Sequence, residues 1–79
     1  MRIIAAIPHP TLKISVFQMN DKYIVELEAG SMKQTFKLNV EDISGVQQIE
    51  KLLDEEFMRK AVERFNEMYL SLKEAEERK

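Results

Sequence analysis

The sequence predicts an α+β domain: a three-stranded antiparallel β-meander in strand order 1-2-3, followed by two C-terminal helices packed on one sheet face (β-β-β-α-α). Three observations predict it. Apolar and polar residues alternate with period two between Thr11 and Val40, two-residue turn sequences interrupt that alternation twice, and beyond Val40 the apolar spacing becomes helical. One domain over residues 1–79 is expected, because a chain of this length has material for a single thin core.

Residues 1–10 read as an extended N-terminal segment. The apolar run Ile3-Ile4-Ala5-Ala6-Ile7 follows Arg2 but stops at Pro8, short of the ~7–15 apolar residues of a secretory h-region. Pro8 and Pro10 then hold the backbone around His9 extended.

The meander occupies residues 11–40. Leu12, Ile14 and Val16 form one face of the first predicted strand, Tyr23, Val25, Leu27 and Ala29 that of the second, and Met32, Phe36, Leu38 and Val40 that of the third. Asn20-Asp21 and Gly30-Ser31 are tight loops of residue types that tolerate positive φ. Two-residue loops set the register, so Val16 faces Val25, Ile14 faces Leu27, Val25 faces Phe36 and Tyr23 faces Leu38. On the opposite face Lys13, Glu28 and Lys33 make one row, and Ser15, Glu26 and Thr35 the next. Gln34 alone breaks the apolar side, opposite Leu27, and needs an edge position or a hydrogen-bond partner.

Helix signals follow. Ser44 with Gln47 matches a capping box opening a first helix over 44–53, with Val46, Ile49, Leu52 and Leu53 apolar. A second helix over 54–77 begins with Asp54 as N-cap and with Glu55 and Glu56 on the positive end of its dipole. From Phe57 to Leu72 the apolar residues fall within an arc of ~140°, and the end beyond Leu72 is expected to be solvated. The pairs Glu55–Arg59, Glu56–Lys60, Lys73–Glu77 and Glu74–Arg78 have favourable i,i+4 spacing.

Composition narrows the function classes. The chain is 44% hydrophobic and 33% charged, with a net charge of −2 and no cysteine, so neither a disulfide scaffold nor a disordered tail is implied. Residues 1–40 carry five basic and three acidic groups, and residues 41–79 seven and eleven, an imbalance that helix starts largely account for. No stretch approaches the ~18 apolar residues of a membrane span. A cytoplasmic location is the default expectation, without membrane attachment.

No arrangement of residues points to catalysis. His9 is the only histidine, and it lacks the three or four convergent ligands of a zinc site. Asp54, Glu55 and Glu56 are consecutive, about 100° apart around a helix, and do not converge on one atom. There is no glycine-rich phosphate loop and no nucleophile with base and acid. A non-enzyme with no cofactor is therefore expected. The remaining feature is an apolar patch on the charged sheet side, where Phe17 lies opposite Ile24 with Met19 and Lys37 nearby. These four residues are the candidate partner interface, because contiguous exposed apolar area marks contact sites. The expected function is a small protein-interaction module that self-associates as a dimer or binds another protein. Two alternatives remain. One is weak nucleic-acid binding through Lys13, Lys33 and Lys37 with Phe17 and Tyr23 stacking, disfavoured by Glu26 and Glu28. The other is a small-molecule pocket between sheet and helices, near Gln34, Tyr23 and Tyr69. The 3-4 spacing of Met58, Ala61, Phe65, Met68, Leu72 and Ala75 also offers a short helical seam.

Overall fold

The computed structural model describes residues 2–78. Its order is β1 (Arg2–Ile7), β2 (Lys13–Met19), β3 (Lys22–Ala29), β4 (Met32–Asn39), a 3-10 turn (Val40–Asp42), α1 (Val46–Leu52) and α2 (Glu55–Glu77). The four strands form one antiparallel sheet in the order β1-β2-β3-β4. The class is α+β as the patterning implies, but the sheet has four strands, not three.

The extra strand is the N-terminal segment. It pairs with β2, and the register shifts between Ile3 and Ala5. That β-bulge is why residues 2–7 show no alternation: Ile4, Ala5 and Ile7 all pack against the core, whereas Ile3 pairs with Phe17 toward the other face.

The other pairings run in the expected register: Val16 opposite Val25, Val25 opposite Phe36, and Lys13 opposite Glu28, itself opposite Lys33. Each tight loop turns through a positive φ at its first residue, Asn20 at 57° and Gly30 at 59°. Within the charged rows the ion pair forms diagonally, from Lys33 to Glu26 at 3.6 Å.

Both helices cover the same sheet face. Ile49 of α1 and Met58, Ala61 and Phe65 of α2 join Leu12, Ile14, Val16, Val25 and Leu27 in one buried cluster. Phe36 and Phe57 meet edge-on, with centroids 5.4 Å apart. Gln34 resolves its conflict with the apolar face through α2: its Nε2 donates to the Ala61 carbonyl at 3.0 Å, and its Oε1 accepts from Arg64 Nη1 at 3.0 Å.

The helix junction is broken as the Asp54 signal implies. Asp54 Oδ1 accepts from the Phe57 amide at 2.8 Å, with Glu55 and Glu56 in the first turn. The start of α1 differs from the expected capping box. Gly45 is the N-cap, at φ 134°, and Gln48, not Gln47, folds back so that its Oε1 accepts from the Ser44 amide and hydroxyl at 2.7 and 2.8 Å. Along α2, Lys60 pairs with Glu56 at 3.9 Å as expected, but Arg59 turns forward to Glu63 at 2.8 Å instead of back to Glu55.

Candidate interaction surfaces

Because α1 and α2 sit on one face, the other face of the sheet has no covering layer among the described residues. The two-residue loops set which side chains it presents. One row crosses all four strands: Ile3 of β1 opposite Phe17 of β2, Phe17 opposite Ile24 of β3, and Ile24 opposite Lys37 of β4. Next to it lies a polar row of Ser15, Glu26 and Thr35, and Met19 pairs with Lys22 at the other end.

The four anticipated interface residues therefore share one face, but they are not equally available. Ile24 is only 5% exposed although no helix covers it, Phe17 is half-buried, and Met19 and Lys37 are exposed. Nothing in the patterning identifies Ile3 as a member. Its signal is the apolar N-terminal run, masked by the bulge, and at 57% exposure it is the most accessible apolar side chain of the row. The N-terminal segment thus widens the strip in the plane of the sheet instead of folding over it.

Two further surfaces are unpartnered. The apolar arc of α2 is buried at Met58, Ala61 and Phe65, but Tyr69 and Leu72 on the same arc are exposed, as is Leu70. A helix of 23 residues spans about 34 Å, so α2 outruns the sheet, in a molecule measuring 46 × 26 × 19 Å. The second surface is the free edge of β4. Across its pairing with β3 that strand is regular over eight residues, without a bulge.

His9 and Asp54 are both engaged in local structure. His9 Nδ1 accepts from the Thr11 and Leu12 amides at 3.2 and 3.1 Å, which closes the turn between β1 and β2. An open groove runs from His9 to the start of α2, past Asp54, Glu55 and Arg59. Among the described residues no three His, Asp or Glu side chains are grouped as metal ligands. Between sheet and helices one apolar cleft of about 80 Å³ lies beside Phe36, Leu38, Leu52 and Phe57, under the ~300–1,000 Å³ of small-molecule pockets, and a wider, open groove of about 710 Å³ runs from Gln34 of β4 along α2 past Arg64, Met68 and Leu70. Gln34 is committed to α2, and Tyr69 stands on the exposed end of that helix. Phe17 and Tyr23 are on opposite faces, Tyr23 packing against the core, and Glu26 and Glu28 lie among the outer-face lysines. Among the described residues no helix is long and apolar enough to cross a membrane.

No protein-family model matches this chain, and neither a curated protein nor a solved structure is significantly similar to it.

Proposed function

We propose that this protein is a small non-catalytic interaction module that works as a homodimer, with the open outer face of the sheet as the surface between copies. The observation that carries this reading is the transverse strip Ile3–Phe17–Ile24, which lies on the sheet face opposite both helices. A 79-residue chain has a thin core, and leaving Ile3 and Met19 in water forgoes ~25 cal/mol per Å² that a second copy would recover. The charge pattern supports a copy as the occupant: the row Lys13–Glu28–Lys33 contains both signs, so an identical face displaced by one strand sets lysine against glutamate. Phe17, Ile3 and Met19 supply the apolar contact in this reading, Ile24 flanks Phe17 from the neighbouring strand, and Lys37 forms the rim.

Sedimentation velocity from low to several hundred micromolar tests it. The wild type should shift from monomer to dimer, and the double variant Ile3→Glu/Met19→Glu, altered only at exposed positions, should dissociate at least tenfold more readily with little change in folding. A wild type that stays monomeric throughout that range, or a double variant that dimerises equally well, overturns the reading.

A further inference from the structure

We propose that the free edge of β4 is a second docking site, adjoining the outer-face strip at Lys37, and that it accepts an extended segment of another protein in which acidic and apolar residues alternate. The first observation is backbone geometry. The loop Gly30-Ser31 makes Ala29 and Met32 the closing pair of their hairpin, and in an antiparallel ladder mutually hydrogen-bonded pairs then recur at every second residue. Gln34, Phe36 and Leu38 consequently direct their amides and carbonyls to β3, and Lys33, Thr35, Lys37 and Asn39 direct theirs outward. The amide of Val40, bonded to the Asp21 carbonyl at 3.0 Å, continues the same alternation and confirms its phase. All four outward residues are exposed, and among the described residues no backbone group outside the ladder pairs with them.

The second observation is chemical. Side chains of a strand stand perpendicular to the sheet, so both flanks of β4 meet the same residues. The inner flank is filled by Val25-Glu26-Leu27-Glu28 of β3, which sets glutamates beside Lys33 and Thr35, and apolar residues beside Gln34 and Phe36. A strand of the same pattern therefore complements the outer flank. Its acidic residues would lie on the outer face beside Lys37, which has Ile24 opposite it on β3 and no carboxylate within ion-pair distance among the described residues. Its apolar residues would lie on the helix side, against Phe36, Leu38 and the half-exposed Leu52 at the small apolar cleft.

The edges differ in kind. That of β1 is bulged and runs into Pro8, which blunts it. That of β4 is regular but guarded by lysines, a device that repels a basic strand and admits an acidic one. A second β4 centred on Thr35 would set Lys33 against Lys37 on both sides of the axis.

The probe is a synthetic peptide of residues 23–29, Tyr-Ile-Val-Glu-Leu-Glu-Ala, compared with the same peptide carrying lysine at both glutamate positions. Binding is followed by amide hydrogen exchange of the whole protein. The acidic peptide should slow exchange at Lys33, Thr35 and Lys37 at least tenfold and bind at least tenfold more tightly than the lysine peptide, with affinity falling as salt rises. Lys33→Glu/Lys37→Glu should reverse that order. Thr35→Pro removes an outward amide that the ladder does not use, and should abolish binding while the unfolding midpoint stays close to wild type. Equal binding of the two peptides, no protection at the three amides, or protection that appears without peptide as protein concentration rises overturns the proposal, the last by identifying the occupant as a second copy. Ile3→Glu/Met19→Glu should bind the acidic peptide as the wild type does, which separates this site from the outer-face dimer.

Discussion

Leu27 and Leu72 both belong to apolar stripes, one on β3 and one on α2, yet truncating them should have very unequal consequences. Leu27 is 0% exposed in the centre of the sheet, whereas Leu72 is 51% exposed on the part of α2 that outruns it. Changing leucine to alanine removes about three carbons at ~0.8 kcal/mol each. At a rigid site a residual void of roughly 60 Å³ adds about 1.5 kcal/mol at ~24 cal/mol per Å³. Leu27→Ala should therefore cost about 4 kcal/mol, against a total stability of ~4–12 kcal/mol at the usual ~0.05–0.15 kcal/mol per residue. Leu72→Ala leaves no void and loses at most half of the transfer term, about 1 kcal/mol. Urea unfolding followed by far-ultraviolet circular dichroism at low micromolar protein measures both. The reasoning fails if Leu72→Ala comes within 1 kcal/mol of Leu27→Ala under those conditions, because the arc beyond Phe65 would then be packed within the monomer.

Other expectations rest on single local features. Asp54→Ala removes the cap that accepts from the Phe57 amide and should cost ~0.5–2 kcal/mol in the same unfolding assay. Gly45→Ala should destabilise by ~1–3 kcal/mol even though nothing lies within 4 Å of the added carbon, because φ 134° with ψ −172° is a glycine conformation. Gly30→Asn, at φ 59°, should be close to neutral, since asparagine visits the left-handed region. Gln34→Ala breaks the hydrogen bonds to Ala61 and Arg64, for about 1–2 kcal/mol, and the thermal midpoint reads the loss.

Legibility of this fold in the sequence followed the regularity of each element. Residues 11–40 were readable down to individual cross-strand pairs, because two-residue loops leave no freedom of register and one slip would turn Val25 and Leu27 to solvent. Asp54 was equally plain, since an N-cap followed by two glutamates is a local device that tertiary packing does not alter. β1 was hidden by the opposite circumstance. Its bulge sends the adjacent residues Ile4 and Ala5 both toward the core, so no period of two survives to be seen. The cap of α1 lies one residue from the position the Ser44–Gln47 spacing implies, because either Gln47 or Gln48 reaches Ser44 in principle and only the turn at Gly45 decides. The outer-face row through Phe17 and Ile24 was readable in register but not in exposure. Ile24 was placed correctly, yet its burial depends on flanking side chains that periodicity does not count.

The high charged fraction acquires a specific meaning from this geometry. On the helices, charges sit at caps and in i,i+4 pairs such as Arg59–Glu63, worth a few tenths of a kcal/mol each. On the outer face they alternate in sign across strands and border an apolar row, so they set the orientation of anything that packs there more than they add to stability. On β4 the pattern is one-sided: Lys33 and Lys37 lie among the outward-directed residues, and the glutamates that balance charge on that face lie one strand inward. Lys33 reaches inward to Glu26 at 3.6 Å, whereas Lys37 has no carboxylate within ion-pair distance among the described residues. That asymmetry distinguishes β4 from a merely exposed strand, and it is why an acidic segment, not a generic one, is the occupant proposed for it.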